Sequence, residues 1–279
     1  MDKNHENTTI GGIMLKKLKS IHWSARKLIG IIVAVSFIAS ILFVLVKLFI
    51  APELPDNSAP FTKLRSDYAL MMMQCGLGLF LIFLPPILER KWKIILPDMM
   101  YILFFIFLYC SIYLGEVRSF YYNVPHWDTV LHALSAAMLA ALGFNIVNLL
   151  NNAKIVRMEM SPFFVSFFAF MFAVAAGALW EIYEFTFDGI LNFNMQKWAT
   201  QEGVPLVGRA ALYDTMKDIV VDTISSLAVC TLGYLQLRVI ILHDKRRTKR
   251  SSILLKTSNG SSALLQGIHK IEEENPESI

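Results

Sequence analysis

Residues 214–222 read Asp214-Thr-Met-Lys-Asp218-Ile-Val-Val-Asp222, and Asp222 opens a run to Leu242 whose one charged residue is Arg238. Acids at every fourth position lie on one side of a helix, drifting by roughly 40° per step and spanning about 12 Å. The apolar run makes that helix a membrane span and sets Asp222 about one turn inside the hydrocarbon. A carboxylate at that depth is costly unless it is protonated, paired or bound to a cation. The stretch therefore predicts a helical membrane fold in which other segments bring partners to this row.

Composition agrees. The 279 residues are 55% hydrophobic and 17% charged, and the mean hydropathy is +0.51. That is too apolar for an ordinary soluble domain. Cys75, Cys110 and Cys230 fall in three different apolar runs, with no paired spacing that would form a metal or disulfide framework. Six runs are long enough to cross a bilayer: 28–50, 68–88, 94–114, 128–150, 162–187 and 217–242. The predicted fold is all-α, a polytopic transmembrane helix bundle of six spans over residues 28–242.

Residues 1–27 form a basic tail in which Ile10 to Trp23 mixes apolar and basic side chains, as a surface helix or a solvated tail would. The run 28–50 is too long for a signal peptide and lacks its small-residue cleavage site, so it reads as a retained anchor. Pro85 and Pro86 kink or end the second span. Residues 243–279 pass from Lys245, Arg246 and Arg247 through a Ser-rich stretch to Glu272, Glu273 and Glu274, and are expected to be disordered. An even number of spans puts both termini on one side. That side collects both basic tails and Arg90, Lys91 and Lys93, so the positive-inside rule makes both termini cytoplasmic. The tails then meet anionic lipid headgroups, which disfavours nucleic acid as a partner. The sequence carries no signal of oligomeric state.

This topology has a consequence at the opposite, outer face. The fourth span starts there with Trp127, Asp128 and His132, and the fifth ends there with Trp180, Glu181, Glu184 and Asp188. The sixth starts there with Asp214, Asp218 and Asp222. Asp128 and His132 share a helix face, as do Glu181, Glu184 and Asp188. Each piece has a plainer reading. Asp128 and Asp214 suit N-caps of their own helices, Asp218 suits a first helical turn, and Trp127 and Trp180 suit an interfacial belt with Tyr121 and Tyr122. Glu181 and Glu184 resist it, because a helix C-terminus disfavours anions by roughly 0.3–1 kcal/mol. Lys197, Arg209 and Lys217 are the nearby basic residues.

A divalent cation is the simplest counter-charge. Carboxylates with one imidazole suit Zn²⁺, Mn²⁺ or Fe²⁺, whereas an all-oxygen set suits Mg²⁺ or Ca²⁺. The candidate ligands are Asp128, His132, Glu181, Glu184, Asp218 and Asp222. The paired Glu-x-x-His pattern of di-iron bundles is absent. His132 and Glu184 are the candidate catalytic groups. Trp127, Trp180, Asp188, Gln196 and Asp214 are candidates for contacting substrate or for belonging to a lid, the loop 188–213.

The pattern Trp127-Asp128-x-x-x-His132-x-x-Ser135, then Trp180-Glu181-x-x-Glu184-Phe185-x-x-Asp188, Asn194-Met195-Gln196 and the Asp row resembles that of bacterial membrane-spanning proteins. It is similar to the YjdF-like inner-membrane proteins and, more distantly, to the VanZ-like group. Ala136 and Ser225-Ser226 stand where that family often has glycine. The resemblance covers residues 120–240 and implies a multi-pass protein of the bacterial cytoplasmic membrane; it supplies no reaction. Two functional classes remain beside a structural role for the acids. One is a metal-dependent enzyme acting at the outer leaflet on a lipid or lipid-linked phosphate or ester. The other is a binding or transport protein for a cation or an amphipathic molecule. The second Asp-x-x-x-Asp motif of prenyl transferases is missing, as are a phosphate-binding glycine loop, a Gly-x-Ser-x-Gly elbow and His-Glu-x-x-His.

Overall fold

Within a bilayer every backbone N–H and C=O must find its bond inside its own segment, so long apolar runs fold as helices. The structure, a computed structural model, describes residues 4–52, 63–92, 96–151, 160–200 and 203–274. All regular elements among them are helical, apart from an isolated antiparallel bridge between Ala199 and Pro205. Six helical stretches among the described residues are long and apolar enough to cross a membrane. The chain forms two compact units, Met1–Cys230 and Thr231–Ile279, and every site residue lies in the first.

Helix α1 (Asn4–Ile50) carries the first span from Ala25. Helices α2 (Arg65–Leu81) and α3 (Leu84–Trp92) together make the second. Pro85 and Pro86 fall in the first turn of α3, where a missing N–H costs little, so they kink the span and the helix resumes. Helix α4 (Asp98–Leu108) continues without a break as a π-helix, Tyr109–Val117. The short α5 (Phe120–Asn123) leads to α6 (Trp127–Asn151), α7 (Pro162–Leu191) and α8 (Arg209–Glu274). Helix α7 is started by Pro162 in its first turn and by the Ser161 hydroxyl, which accepts the Phe164 N–H at 3.2 Å. It ends where Asn192 turns left-handed at φ 55°.

The spans stand close to the sequence boundaries, but α7 runs four residues past Phe187 and α8 starts at Arg209, ahead of Lys217. The loop between α7 and α8 shrinks to 192–208, and the whole Asp row sits on helix. Helix α8 also stays helical to Glu274, through a tail for which disorder was expected. No proline interrupts that stretch before Pro276, and the residue ahead of a proline disfavours the helical region. The remaining tail, 275–279, and the predicted start of the third span at Ile94 lie outside the described residues.

Two packing styles divide the first unit. Helices α1, α2 and α4 close on large side chains, with Val33, Phe37, Phe105, Leu108 and Ile112 buried around Cys75. Helices α6, α7 and α8 close on small ones, Ala140, Ala169, Ala173 and Cys230. Small residues let membrane helices approach until backbone meets backbone. At Gly143 a Cβ would come within 2.8 Å of the Ala169 Cα. That close approach brings the polar ends of α6, α7 and α8 to one point.

Candidate functional site

Asp128 and His132 sit on successive turns at the start of α6, Glu181 faces them from α7, and Asp218 and Asp222 face them from α8. The imidazole is the centre. Its Nε2 lies 3.8 Å from an Asp128 oxygen, 4.0 Å from Glu181 and 3.8 Å from Asp218, and its Nδ1 lies 3.3 Å from Asp222. His132, Glu181, Asp218 and Asp222 are buried. Three helices separated in sequence thus bring four carboxylates around one ring.

The charges are matched on one side of the group only. The Lys197 ammonium donates to Asp128 Oδ2 at 2.6 Å and to Asp214 at 3.1 Å. Lys217 donates to the other Asp214 oxygen at 2.9 Å and stands 3.4 Å from Asp218. Burial works to lower the Lys197 pKa, but the Asp128 and Asp214 carboxylates outweigh it and hold the value above that of an ordinary lysine. On the far side both Glu181 oxygens are buried without a hydrogen bond; so are Asp222 Oδ1 and His132 Nδ1, which face each other at 3.3 Å, and Asp218 Oδ1, the oxygen 3.4 Å from Lys217. Buried charge left in that condition costs several kcal/mol per group, on the order of the ion's desolvation. One donor atom each from Asp128, His132 and Asp218 lies within 4.8 Å of the others, a spread that an ion can draw together. Asp222 is seated by the absence of a side chain opposite: a Cβ at Gly177 of α7 would collide with its carboxylate.

The other sequence candidates are distributed around this group. Glu184 stands apart from the ring of acids; its Oε1 accepts the Trp180 indole N–H at 2.8 Å, and the Trp180 ring stacks on Tyr183. Trp127 donates its indole N–H to the Cys110 carbonyl of the π-helix and meets Phe120 edge-on, which ties the start of α6 to the end of the third span. Asp188 accepts the backbone N–H groups of Met195 (2.8 Å) and Gln196 (3.0 Å), and the Gln196 amide donates to Thr215 Oγ1 at 2.8 Å. Together with Asn194, whose amide pairs with Ala199 in both directions, they pin the loop 192–208 over the site. Lys197 holds a left-handed backbone (φ 49°), and the loop presents its ammonium to Asp128.

Residues 30–239 match the family described as "Predicted membrane protein (DUF2238)". The chain belongs to this family. The DUF2238 chain is also similar, at 29% identity over 122 residues, to an "Uncharacterized protein" of Thermotoga maritima; the alignment covers 43% of this chain and 54% of that one. The chain thus spans about half the length of that relative. No solved structure matches it.

Gly177 and Glu116 were not singled out from the sequence, and Tyr121 was read there only as part of an interfacial belt. Gly177 lies one turn before Glu181, on the same face, and that spacing was a usable signal. Glu116 and Tyr121 line the cavity beside the cluster; the π-helix that turns Glu116 inward has no signature in the residues themselves. Burial and the nearby Glu116 carboxylate push the Tyr121 hydroxyl well above the ordinary tyrosine value, so the phenol stays protonated.

Proposed function

We propose that this DUF2238 protein binds one divalent cation at the outer face of the membrane, through Asp128, His132 and Asp218, with Asp222 and Glu181 completing the shell. The observation that carries this is the convergence of those donors, with buried oxygens on the unmatched side lacking any hydrogen bond. One nitrogen with several oxygens suits Zn²⁺ or Mn²⁺; Mg²⁺ would draw on the carboxylates alone. Lys197 holds the outward oxygen of Asp128, which leaves the inward one for the ion, while Asp214 spends both oxygens on Lys197 and Lys217.

A cation at that depth would act as a Lewis acid toward a phosphate or ester of a membrane lipid, or of a lipid-linked intermediate. Glu184, next to the shell and not in it, is the candidate base. The reading includes a bacterial cytoplasmic membrane, both termini in the cytoplasm, and basic tails against anionic headgroups. The excess of Lys and Arg in the tails supports that orientation. The likeness to the YjdF-like proteins supports the bacterial membrane. The lysine pairs favour a second reading, in which the acids only tie helix ends together.

Elemental analysis of protein purified in mild detergent separates the two. The account expects about one Zn²⁺ or Mn²⁺ per chain, and stabilisation by about 2.7 kcal/mol at roughly one hundred times the Kd. Asp218→Asn should abolish both. Protein that holds no divalent ion and gains no thermal stability from Zn²⁺, Mn²⁺ or Mg²⁺ would favour the structural reading.

A further inference from the structure

A cavity of about 310 Å³ opens from the cluster, with Asp128, His132, Asp222 and Lys197 at its mouth. It runs into the membrane domain between α2–α3, the third span and α6. Its wall on α6 passes from Asp128 through Leu131, Ser135, Met138 and Leu142, which share one helix face. Those fourteen steps cover about 21 Å at 1.5 Å per residue. Beyond the mouth the lining is chiefly Leu, Met and Phe. Just past Leu142, the Asn145 amide bonds to the Met100 sulfur of α4 at 3.4 Å, which closes the gap between the third span and α6.

Length and section limit what fits. The volume spread over that length gives a mean section of about 15 Å². One extended hydrocarbon chain fills that section; two chains abreast, or a fused-ring lipid, exceed it. An extended acyl chain of palmitoyl to stearoyl length matches the roughly 21 Å of wall. Because a chain that leaves lipid for this wall exchanges one apolar environment for another, burial alone supplies little affinity. Selection comes from the match of chain length and from the group at the mouth.

The structure of an acyl chain decides that group. The chain begins at a carbonyl carbon, so a chain that reaches the far end puts its carbonyl at the mouth, beside Asp128 and His132. The phosphate of a glycerolipid lies several bonds farther out. Depth agrees: headgroups lie outside the roughly 30 Å hydrocarbon core, whereas Asp222 sits about one turn inside it. The polar part of a lipid nearest that depth is its ester. Glu184 lines the same cavity, so the candidate base and the cation share access to the carbonyl.

We propose that the cavity seats one acyl chain of palmitoyl to stearoyl length from a membrane glycerolipid, and so brings the ester carbonyl of that chain, not the phosphate, to the cation of the cluster. This rests on the cation reading and narrows its substrate class to an acyl ester.

The test uses the full-length protein in mild detergent with Mn²⁺ and four lysophosphatidylglycerols: palmitoyl, lauroyl, lignoceroyl, and the hexadecyl ether, which has the palmitoyl chain length and no carbonyl. Binding is read by native mass spectrometry, and Mn²⁺ content is measured in parallel. The wild type should bind the palmitoyl lipid about tenfold or more tighter than the lauroyl and lignoceroyl ones. Mn²⁺ should strengthen the palmitoyl ester and leave the ether unchanged. Electron spin-echo spectra of the Mn²⁺ should show coupling to a ¹³C-labelled palmitoyl carbonyl and none to ³¹P. Leu142→Trp fills the cavity about 15 Å from His132, counting ten helical steps. It should weaken the palmitoyl lipid by about tenfold or more while leaving the lauroyl lipid and Mn²⁺ unchanged. Met100→Trp, on α4, serves if that variant does not fold. Mn²⁺ binding with no chain-length preference, or with no effect of either tryptophan, overturns the chain site and leaves the cation reading standing. Equal gain from Mn²⁺ for ester and ether, or coupling to ³¹P in place of ¹³C, overturns the ester assignment. A chain-length preference lost in Leu142→Trp, in protein that binds no Mn²⁺, overturns the cation reading and keeps the chain site.

Discussion

His132 is the residue that the acids surround, and each neighbour has a distinct second commitment. Asp128 divides its carboxylate, one oxygen toward the ring and one on Lys197. Asp222 leans on Gly177, and Asp218 touches Lys217. Lys197 is the test of this division. Lys197→Met leaves Asp128 and Asp214 to share Lys217, and should destabilise the protein by about 1–3 kcal/mol, the cost of an unsatisfied charged partner. The pH sign follows from the raised folded pKa of Lys197. Its contribution is complete below the ordinary lysine value of about 10.4 and is lost only as pH rises through the higher folded value. The gap in Tm between wild type and Lys197→Met should therefore be flat from about pH 6 to pH 9. A gap that closes within that window would contradict the assignment. The acids were legible because fourfold spacing and depth are written in the sequence. The partner chosen by Lys197 was not, because it depends on a left-handed turn and on two loop N–H groups that bond to Asp188.

At the scale of elements, hydropathy gave the spans and packing moved their ends. Helices α7 and α8 lengthen into the polar loop because Asp188 and Thr215 bond to that loop from helical positions. The π-helix after Leu108 was not legible: nothing in Tyr109–Val117 marks a wider turn, and its cause lies in tertiary contacts such as the Trp127 bond to Cys110. Glycines separate contact from propensity. Gly143→Ala drives a Cβ against the Ala169 backbone, whereas Gly76→Ala points into open space. Thermal unfolding in detergent should show Gly143→Ala destabilised by about 1–3 kcal/mol through overpacking. Gly76→Ala should be neutral, or stabilised by about 0.5–1 kcal/mol through helix propensity. Equal effects at the two sites would mean that the α6–α7 crossing is looser than the structure has it.

Across the whole molecule, the first unit combines a large-residue half, α1, α2 and α4, with a small-residue half, α6, α7 and α8. The apolar cavity lies between the third span and α6, where side chains of both halves face it. The tight crossing of the second half gathers acids from residues 128–222 into one group; sequence order indicated their shared depth, and the small residues explain their shared point. No single helix supplies enough donors for an ion, so cation binding reports on the assembled fold. Electron spin-echo spectroscopy of the Mn²⁺-loaded full-length protein in detergent tests this most directly. The account predicts one bound Mn²⁺ whose spectrum carries nitrogen modulation from a single imidazole, lost in His132→Gln. An absence of bound Mn²⁺, or nitrogen modulation unchanged by His132→Gln, would contradict it.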